Sequence, residues 1–231
     1  MSEGAIGTER ELKFRPRDVD EARVLVARFR DRLGLPAAPA VTTTLESRYL
    51  DTADHQLARC GLGVRARWAL EALDPEAARW TAKLALEEDD GTYVSVEFEV
   101  DGERERLPAE IAGRLRSVVG SARLVELARI RNHRTSWRDA TGGVEIELDV
   151  VDVLAPRTGH FVEVEVEVAD DEQLRALRRW VGAVPVSTTH KLGAALGQVV
   201  SVDPECVARV RALLEAPSDP GWCEEPAPWA R

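Results

Sequence analysis

Cysteine is scarce in this sequence, and the few cysteines lie far apart. Cys60, Cys206 and Cys223 are the only three among 231 residues. An odd number of scattered cysteines predicts neither a disulfide framework nor a paired-cysteine metal site. We therefore expect a protein of the reducing cytoplasm.

Long apolar runs and aromatic residues are also scarce. No segment approaches the ~20 apolar residues of a transmembrane helix, and residues 1–7 lack the basic and apolar regions of a secretory signal. Aromatic residues make up 5% of the chain, which is too few for the aromatic girdles of a membrane barrel. These features predict no association with membranes.

Positive charge is in deficit. The chain has 31 Lys and Arg against 41 Asp and Glu, which gives a net charge of −10 at pH 7. Duplex nucleic acid and anionic membrane surfaces both favour positively charged proteins, so we expect neither as a partner. An anionic ligand would need a local cluster of Lys and Arg, or a bound metal.

The motifs of several common catalytic classes are missing. The sequence has no G-x-x-x-x-G-K-[ST], G-x-S-x-G or H-E-x-x-H pattern, so it gives no support to a P-loop, a serine hydrolase elbow or a zincin. The four histidines lack the spacing of metal ligands, and we interpret them as structural.

Alternation of apolar and charged residues dominates the first 170 residues. It predicts eight strands, at residues 7–14, 42–50, 62–70, 78–86, 92–100, 128–138, 142–153 and 161–168. Helical spacing and capping residues predict five helices, at residues 18–33, 108–119, 170–182, 188–201 and 203–215. We expect one tunnel domain over residues 1–202, with a helix and an irregular Pro- and Trp-containing tail over residues 203–231 packed on it.

The charged face of these strands is almost purely ionic. Glu9, Glu11 and Lys13 share one face of the first strand, and Glu163 and Glu165 share one face of the last. An antiparallel sheet with one wet side explains any single strand of this kind. Like charges two residues apart repel, however, and a whole set of such strands needs compensating cations or a ligand.

A closed sheet with its charged faces inward accounts for the whole set. We predict an α+β fold, in which an eight-stranded antiparallel β-barrel has a charged lumen and helices cover its apolar outer surface. Carboxylates bind hard cations such as Mg²⁺ or Mn²⁺, and Arg and Lys bind phosphate oxygens. The expected ligand is a metal-bound polyphosphate.

Motifs in a fixed order resemble the CYTH superfamily of triphosphate tunnel metalloenzymes. They are an ExExK strand at residues 9–13, a Y-x-D-T segment at residues 49–52, an R-x-R segment at residues 65–67 and a late acidic strand. The resemblance extends over residues 9–191. It implies an eight-stranded barrel and an activity like those of inorganic triphosphatases, thiamine triphosphatases or class IV adenylate cyclases.

The resemblance also implies roles for individual residues. The expected metal ligands are Glu9, Glu11, Asp149, Glu163 and Glu165. The expected substrate-binding residues are Arg65, Arg67, Lys83, Arg134 and Lys191. Catalytic roles are expected for Lys13, Lys83, Asp149 and Glu163, with Mg²⁺ or Mn²⁺ as the cofactor.

This chain departs from the family pattern at several positions. Asn132 stands where many members have a basic residue, and Leu192 stands where an aromatic residue is expected. Glu167 adds a third acid to the usual pair, and we interpret it as a spare surface carboxylate. Strand parity places Trp80 and Trp137 outside the lumen, in the core.

We expect hydrolysis of the terminal phosphate of a linear triphosphate. Inorganic tripolyphosphate is the first choice of substrate, and thiamine or nucleoside triphosphate are the others. Two alternatives stay open: an adenylate cyclase that makes cyclic AMP from ATP, and a polyphosphate-binding module without catalysis. A homodimer is also left open.

Overall fold

The computed structural model describes residues 5–37, 39, 41–87, 92–182, 184, 186–187, 191–197 and 201–216. The strands in these ranges are β1 (Ala5–Phe14), β2 (Val41–Thr52), β3 (Leu62–Ala69), β4 (Ala77–Glu87), β5 (Tyr93–Glu103), β6 (Leu124–Arg138), β7 (Val144–Ala155) and β8 (Gly159–Val168). The helices are α1 (Val19–Leu33), α2 (Gln56–Arg59), α3 (Ala109–Val119), α4 (Asp171–Val181), α5 (Lys191–Leu196) and α6 (Pro204–Glu215). The predicted tail, residues 217–231, lies outside the described residues.

The eight predicted strands are confirmed, and they close into a barrel. Their order around the barrel is β1-β5-β4-β3-β2-β6-β7-β8, and β8 pairs with β1 to complete the circle. Every neighbouring pair is antiparallel. Closure gives each strand of the barrel a paired neighbour on both sides, and the β1–β8 pairing extends over Glu11–Phe14.

The barrel has its apolar residues outside and its charged residues inside. On β1, Leu12 is fully buried in the outer core, whereas Glu11 and Lys13 line the lumen. Successive side chains of a strand point to opposite faces, so one alternating sequence supplies both surfaces. Trp80 and Trp137 pack in the outer cores, as predicted from their parity.

Helices cover two sides of the barrel. α1 and α4 pack in one apolar core with β1, β7 and β8, and α3 and α6 pack in another with β3, β4 and β5. The predicted caps of α1 are confirmed: the Asp18 carboxylate accepts a hydrogen bond from the Glu21 amide, and Gly34 ends the helix with a φ of 70°. No helix in the described ranges has both the length and the apolar character needed to cross a membrane.

A short helix closes one end of the barrel. Tyr49, Ile130 and Val153 point inward at that end, and they pack with Ala195 of α5. The lumen is therefore charged along part of its length and apolar where it meets α5.

The predicted helix over residues 188–201 is wrong at its C-terminal end. The described helix is Lys191–Leu196, and Gly197 follows it with a left-handed φ of 62°. Glycine adopts this conformation without steric cost, so the chain turns there. Residues 188–190 and 198–200 lie outside the described residues.

The α2 turn was missed because four residues are too few to show a helical period. Asp51, at the end of β2, positions it. Its carboxylate accepts hydrogen bonds from the amides of Leu57 and Ala58, at 2.8 and 3.0 Å. These bonds satisfy donors at the start of the helix that would otherwise have no partner.

Two cysteines are joined, which corrects the expectation that the cysteines stay unpaired. Cys60, at the end of α2, forms a disulfide with Cys206 of α6, and their Cα atoms are 4.9 Å apart. The two residues are 146 positions apart in sequence, so only the folded chain brings them together. The cysteine argument for a reducing compartment therefore loses its basis. Cys223 lies outside the described residues.

Candidate active site

A cavity of about 890 Å³ lies inside the barrel. Nine of the eleven predicted site residues line it, namely Glu9, Glu11, Lys13, Arg65, Arg67, Lys83, Arg134, Glu165 and Lys191. The other two, Asp149 and Glu163, are fully buried and do not line it. They lie behind the cavity wall, in contact with Arg134 and Lys191.

Strand register places like charges directly opposite one another. Glu11 of β1 is paired with Glu167 of β8, and Glu147 of β7 is paired with Glu165 of β8. Opposed like charges destabilise a sheet. The barrel can therefore retain these pairs only where protons, ammonium or guanidinium groups, or bound cations compensate them.

The first carboxylate group consists of Glu9, Glu11 and Glu167, which we call the Glu9 cluster. One oxygen from each residue lies within 4.8 Å of the others. Glu167 is thus part of the cavity wall, and its interpretation as a spare surface carboxylate is wrong. The parity that places Glu163 and Glu165 inward applies equally to Glu167, so the sequence did contain the signal.

The Glu9 cluster shares a proton in the absence of a metal. Burial, a hydrogen bond with Glu9 and the nearby Glu9 and Glu11 charges together raise the pKa of Glu167 to about 11. Burial also opposes ionisation of Glu9, but the Lys83 ammonium and hydrogen bonds with Glu167 and Glu97 lower the pKa of Glu9 overall. One carboxyl group is neutral so that its neighbours can be charged.

The second carboxylate group consists of Glu147, Asp149 and Glu165, which we call the Glu147 cluster. All three residues are buried, and one oxygen of each lies within 4.8 Å of the others. Burial, together with the charges of Asp149 and Glu165, raises the pKa of Glu147 to about 8. Sequence reasoning noted the charged face of this strand but assigned no role to Glu147.

Lysine side chains join the two clusters. The Lys13 ammonium lies 2.9 Å from Glu11 and 2.8 Å from Glu165. Lys191 reaches in from α5 and lies 2.6 Å from Glu163 and 2.8 Å from Glu165. Burial opposes the charge on both lysines, but the surrounding carboxylates raise their pKa values above the usual range. Both lysines are therefore charged in the folded protein.

Lys83 contacts the Glu9 cluster from β4, which is separated from β1 by β5 alone. Its ammonium forms an ion pair with Glu9 and lies 3.3 Å from Glu11 and 2.6 Å from Glu97. Lys83 of β4 is directly opposite Glu97 of β5 in the strand register, and this pairing positions its ammonium beside the cluster. A cation bound to the Glu9 cluster would therefore compete with this ammonium for the same oxygens.

Asp149 holds Arg134 in place through a bidentate contact. Its Nε and one terminal nitrogen donate to the two carboxylate oxygens at 2.8 and 2.7 Å, and it also contacts Glu147. Asn132, which replaces a basic residue of the family pattern, donates to Asp149 at 3.2 Å. Asp149 thus acts in this structure as a buried anchor for Arg134.

Arg65 and Arg67 differ from the other cavity cations. Within the described part of the chain, neither has an ion pair with a carboxylate, and Arg67 donates only to the Ser47 hydroxyl, at 3.2 Å. Burial and the nearby Arg65 and Arg134 charges together lower the pKa of Arg67 to about 10. Two guanidinium groups that repel each other inside a cavity form a site for an anion.

Sequence reasoning also missed Arg15. Its guanidinium lies 2.5 Å from Glu163 and over the Phe161 ring, 4.5 Å from the ring centroid. The signal was parity, since Arg15 lies two residues beyond Lys13, just past the end of β1, where the alternation of that strand continues. The contact accounts for the burial of Glu163, which is balanced by Arg15 and Lys191.

Both carboxylate clusters suit a hard divalent cation. Each offers three carboxylate oxygens close together, and hard cations such as Mg²⁺ and Mn²⁺ bind oxygen ligands. The two clusters bring Glu167 and Glu147 together with four of the five expected metal ligands, and Glu163 belongs to neither cluster. The donor atoms do not distinguish Mg²⁺ from Mn²⁺.

Comparisons with known proteins agree with this architecture. A model of the CYTH domain matches residues 7–183. HpAC1 from Hippeastrum, described as an adenylyl cyclase with a dominant triphosphatase activity, superposes with a TM-score of 0.59 at 20% identity, over 83% of this chain and 97% of that chain. A protein from Bacillus halodurans described as an adenylate cyclase gives a TM-score of 0.55 at 15% identity, over 82% and 97%. No curated protein matches the sequence.

The fold and the site together define a class of protein. Its members are closed eight-stranded barrels, and here the lumen combines carboxylate clusters with lysine and arginine side chains. Because the domain model matches well over half of the sequence, the chain belongs to the CYTH domain family. The two structural likenesses are below 25% identity, and they support the shared fold alone.

Proposed function

We propose that this protein hydrolyses the terminal phosphate of a linear triphosphate in a reaction that depends on a divalent metal. The observation that carries the proposal is the composition of one cavity. Two carboxylate clusters that suit hard cations share the cavity with Arg65 and Arg67, which have no carboxylate partner among the described residues. This combination matches the charges of a metal-bound polyphosphate.

The arginines and lysines would hold the phosphate chain. Arg65 and Arg67 are placed to donate to phosphate oxygens, and Arg134 is oriented beside them by Asp149. Lys13 and Lys83 lie at the carboxylate clusters, where their charge would meet the negative charge that develops during transfer. Phosphoryl transfer needs mainly such positioning and neutralisation, with little covalent work from the protein.

The carboxylates would hold the metal. Carboxylate oxygens at the cavity wall come from two groups, Glu9, Glu11 and Glu167 in one and Glu147 and Glu165 in the other. A divalent cation bound there would neutralise phosphate oxygens and lower the pKa of a water molecule. Asp149 and Glu163, expected beside the attacking water, are buried behind the wall, and we propose that they position Arg134 and Lys191 instead.

The balanced reaction is simple. Water adds to the terminal phosphorus and gives up a proton, while the bond from that phosphorus to the bridging oxygen breaks. The products are inorganic phosphate and the shortened diphosphate, which keeps the electron pair of the broken bond. The triphosphatase activity described for HpAC1 from Hippeastrum, a protein of the same fold, supports testing this reaction first.

The test measures phosphate release from tripolyphosphate, ATP and thiamine triphosphate, each with Mg²⁺, Mn²⁺ or EDTA. We expect release with metal and none with EDTA. Glu9→Gln and Glu11→Gln should each lower kcat at least about 100-fold, because each removes a charged oxygen from the metal-binding group. Glu126→Gln is the matched control, since Glu126 is an exposed carboxylate that pairs with Arg129 and does not line the cavity.

Two outcomes would replace the proposal. Conversion of ATP to cyclic AMP and diphosphate, with no phosphate released, would establish a cyclase. Metal-dependent binding of all three compounds with no product of either kind would establish a binding module. Loss of activity in Glu126→Gln as large as in Glu9→Gln would show that the variants report on folding rather than on the site.

A further inference from the structure

The cavity changes chemistry along its length. The charged residues described above line one part. On β3, Leu62 precedes Arg65 and Arg67, and on β4, Leu86 follows Lys83, so the aliphatic side chains line a second part, towards one end of these strands. We call the second part the aliphatic chamber and define it by six residues: Leu62, Leu86, Leu192, Leu196, Val202 and Val207. Together these side chains offer neither a hydrogen bond nor a charge.

Leu62 and Leu86 of the chamber lie on the barrel strands β3 and β4, and the other four residues lie outside the barrel. Leu192 and Leu196 lie on α5, whose position is held by the ion pairs of Lys191 inside the lumen. Val207 lies on α6, and Val202 lies just before it. The amide of Asp203 donates to the Arg59 carbonyl at 2.8 Å, which holds this segment against α2.

The chamber wall at Gly61 brings the start of β3 together with the segment that leads into α6. A Cβ atom added to Gly61 would meet Val207 at 3.4 Å and Val202 at 3.6 Å, which are ordinary contact distances, and the φ of 69° at this position favours glycine. Gly61, Val202 and Val207 are therefore neighbours in the wall of the aliphatic chamber.

Among the described residues, the side chains of the chamber wall are incompletely covered. Val202 is 47% exposed, and Leu86, Leu192, Leu196 and Val207 are only partly buried. Covering such apolar surface is favourable, at about 25 cal/mol per Å² of area removed from water. The cavity volume of about 890 Å³ falls within the roughly 300–1,000 Å³ of pockets that bury a whole drug-sized molecule. A bare phosphate chain would leave the aliphatic part empty.

We propose that the substrate is a triphosphate ester of an aliphatic alcohol. Its phosphates would lie among the charged residues, and its hydrocarbon part would fill the aliphatic chamber. This inference rests on the proposed function and specifies its substrate class. Hydrolysis would again add water at the terminal phosphorus and break its bond to the bridging oxygen. The products would be phosphate and an alkyl diphosphate.

The side chains of the chamber favour a hydrocarbon over a polar heterocycle. Adenine and the rings of thiamine carry nitrogen atoms that lose hydrogen bonds to water when they enter an apolar site. The six side chains named above cannot replace those bonds. Tyr93, an aromatic residue of the cavity, lies instead against Lys13, whose ammonium is 4.7 Å from the ring centroid.

The test compares octyl triphosphate with methyl triphosphate on the full chain, with tripolyphosphate and ATP alongside. The two esters differ only in hydrocarbon length, so their difference reports on apolar contact. We expect the KM of octyl triphosphate to be at least about ten-fold below that of methyl triphosphate. The shift in Tm that each compound causes in the presence of Mn²⁺ is measured as a readout that does not need turnover.

Variants locate the effect. Leu196→Asn and Val202→Asn should each raise the KM of octyl triphosphate towards that of methyl triphosphate, and leave the KM of methyl triphosphate unchanged. Val202 is the safer site, because a half-exposed side chain is replaced with little cost to folding. Val24→Asn is the control, since Val24 is 63% exposed on α1 and does not line the cavity.

The outcomes separate this inference from the proposed function. Equal KM values and equal Tm shifts for the two esters would overturn the inference, even if tripolyphosphate is hydrolysed. A lower KM for ATP than for octyl triphosphate would also overturn it. A larger Tm shift with the octyl ester, abolished in Val202→Asn, would support the inference even if no compound is hydrolysed.

Discussion

Chemically identical carboxylates in the cavity have different protonation states. The pKa of Asp149 is lowered to about 2, because the charges of Arg134 and Lys191 outweigh the effect of burial. Two residues away, burial and the neighbouring carboxylates raise the pKa of Glu147 to about 8. The difference comes from contacts across the barrel, since both residues lie on one face of one strand.

Glu167 provides a test of this electrostatic arrangement. Its pKa is raised from 4.5 to about 11, so the folded protein keeps a proton that the unfolded chain releases above pH ~4.5. The stabilising contribution of this group is present below pH ~4.5 and is lost as the pH rises towards 11. Glu167→Gln, which does not titrate, should therefore exceed the wild type in Tm at pH 8 in EDTA.

The expected gain for Glu167→Gln at pH 8 is at least about 2 °C, the change that about 1 kcal/mol produces in a domain of this size. At pH 4.5 the two proteins should unfold at nearly the same temperature. Thermal unfolding followed by circular dichroism measures both values, with Glu126→Gln as the control. An equal difference at the two pH values would show that Glu167 is not held neutral.

At the scale of elements, two helices outside the barrel sheet supply part of the cavity lining. α5 supplies Lys191 to the charged part and leucines to the aliphatic chamber, and α6 supplies Val207. The anchor of α6 is the disulfide between Cys60 and Cys206. Arg114 of α3 adds a second anchor, because its guanidinium donates to the carbonyls of Leu213, Leu214 and Ala216.

Reduction of this disulfide should destabilise the protein. A crosslink between residues 146 positions apart removes many conformations from the unfolded chain, and such a bond typically contributes about 2–4 kcal/mol. We expect dithiothreitol to lower the wild-type Tm by about 4–16 °C, at the usual ~2–4 °C per kcal/mol for this size. Cys206→Ser should show the lower Tm with or without dithiothreitol, and a response of this variant to the reductant would contradict the assignment.

For the whole molecule, acidity and anion binding must be reconciled. The net charge is −10, and eight carboxyl groups stand beside six lysines and arginines among the described lining residues of the cavity. Even with Glu147 and Glu167 neutral, as their raised pKa values imply, a polyphosphate entering this cavity alone would meet no excess of positive charge. Divalent cations supply that excess, so metal and polyphosphate should bind as a coupled pair.

This coupling predicts a difference in ligand-induced stabilisation. At 100 times the Kd, a ligand adds about 2.7 kcal/mol to the stability of the folded state, which corresponds to about 5–11 °C in Tm for this size. Tripolyphosphate with Mn²⁺ should approach that shift in Glu126→Gln and in the wild type. Tripolyphosphate with EDTA should raise the Tm by less than about 2 °C, and equal shifts under the two conditions would refute the coupling.

Period-two alternation was sufficient to predict the eight strands and which of their residues face inward. Leu12 and Lys13 illustrate the reason. Successive side chains of a strand point to opposite faces, so apolar and charged residues alternate in the sequence of a half-buried strand. The same alternation predicts that Arg15, Glu147 and Glu167 face inward. Sequence reasoning gave them no role, because alternation does not show which residues of the inward face contact one another.

The tertiary structure alone decided which inward residues meet. The opposition of Glu11 with Glu167 depends on strand register, and the burial of Glu163 depends on α5 bringing Lys191 to it. Contacts between residues far apart in sequence leave no local pattern, because they arise only when the sheet closes and the helices pack. The charged lumen was therefore determined by the sequence itself, whereas the carboxylate clusters, the aliphatic chamber and the disulfide were decided by the closed barrel.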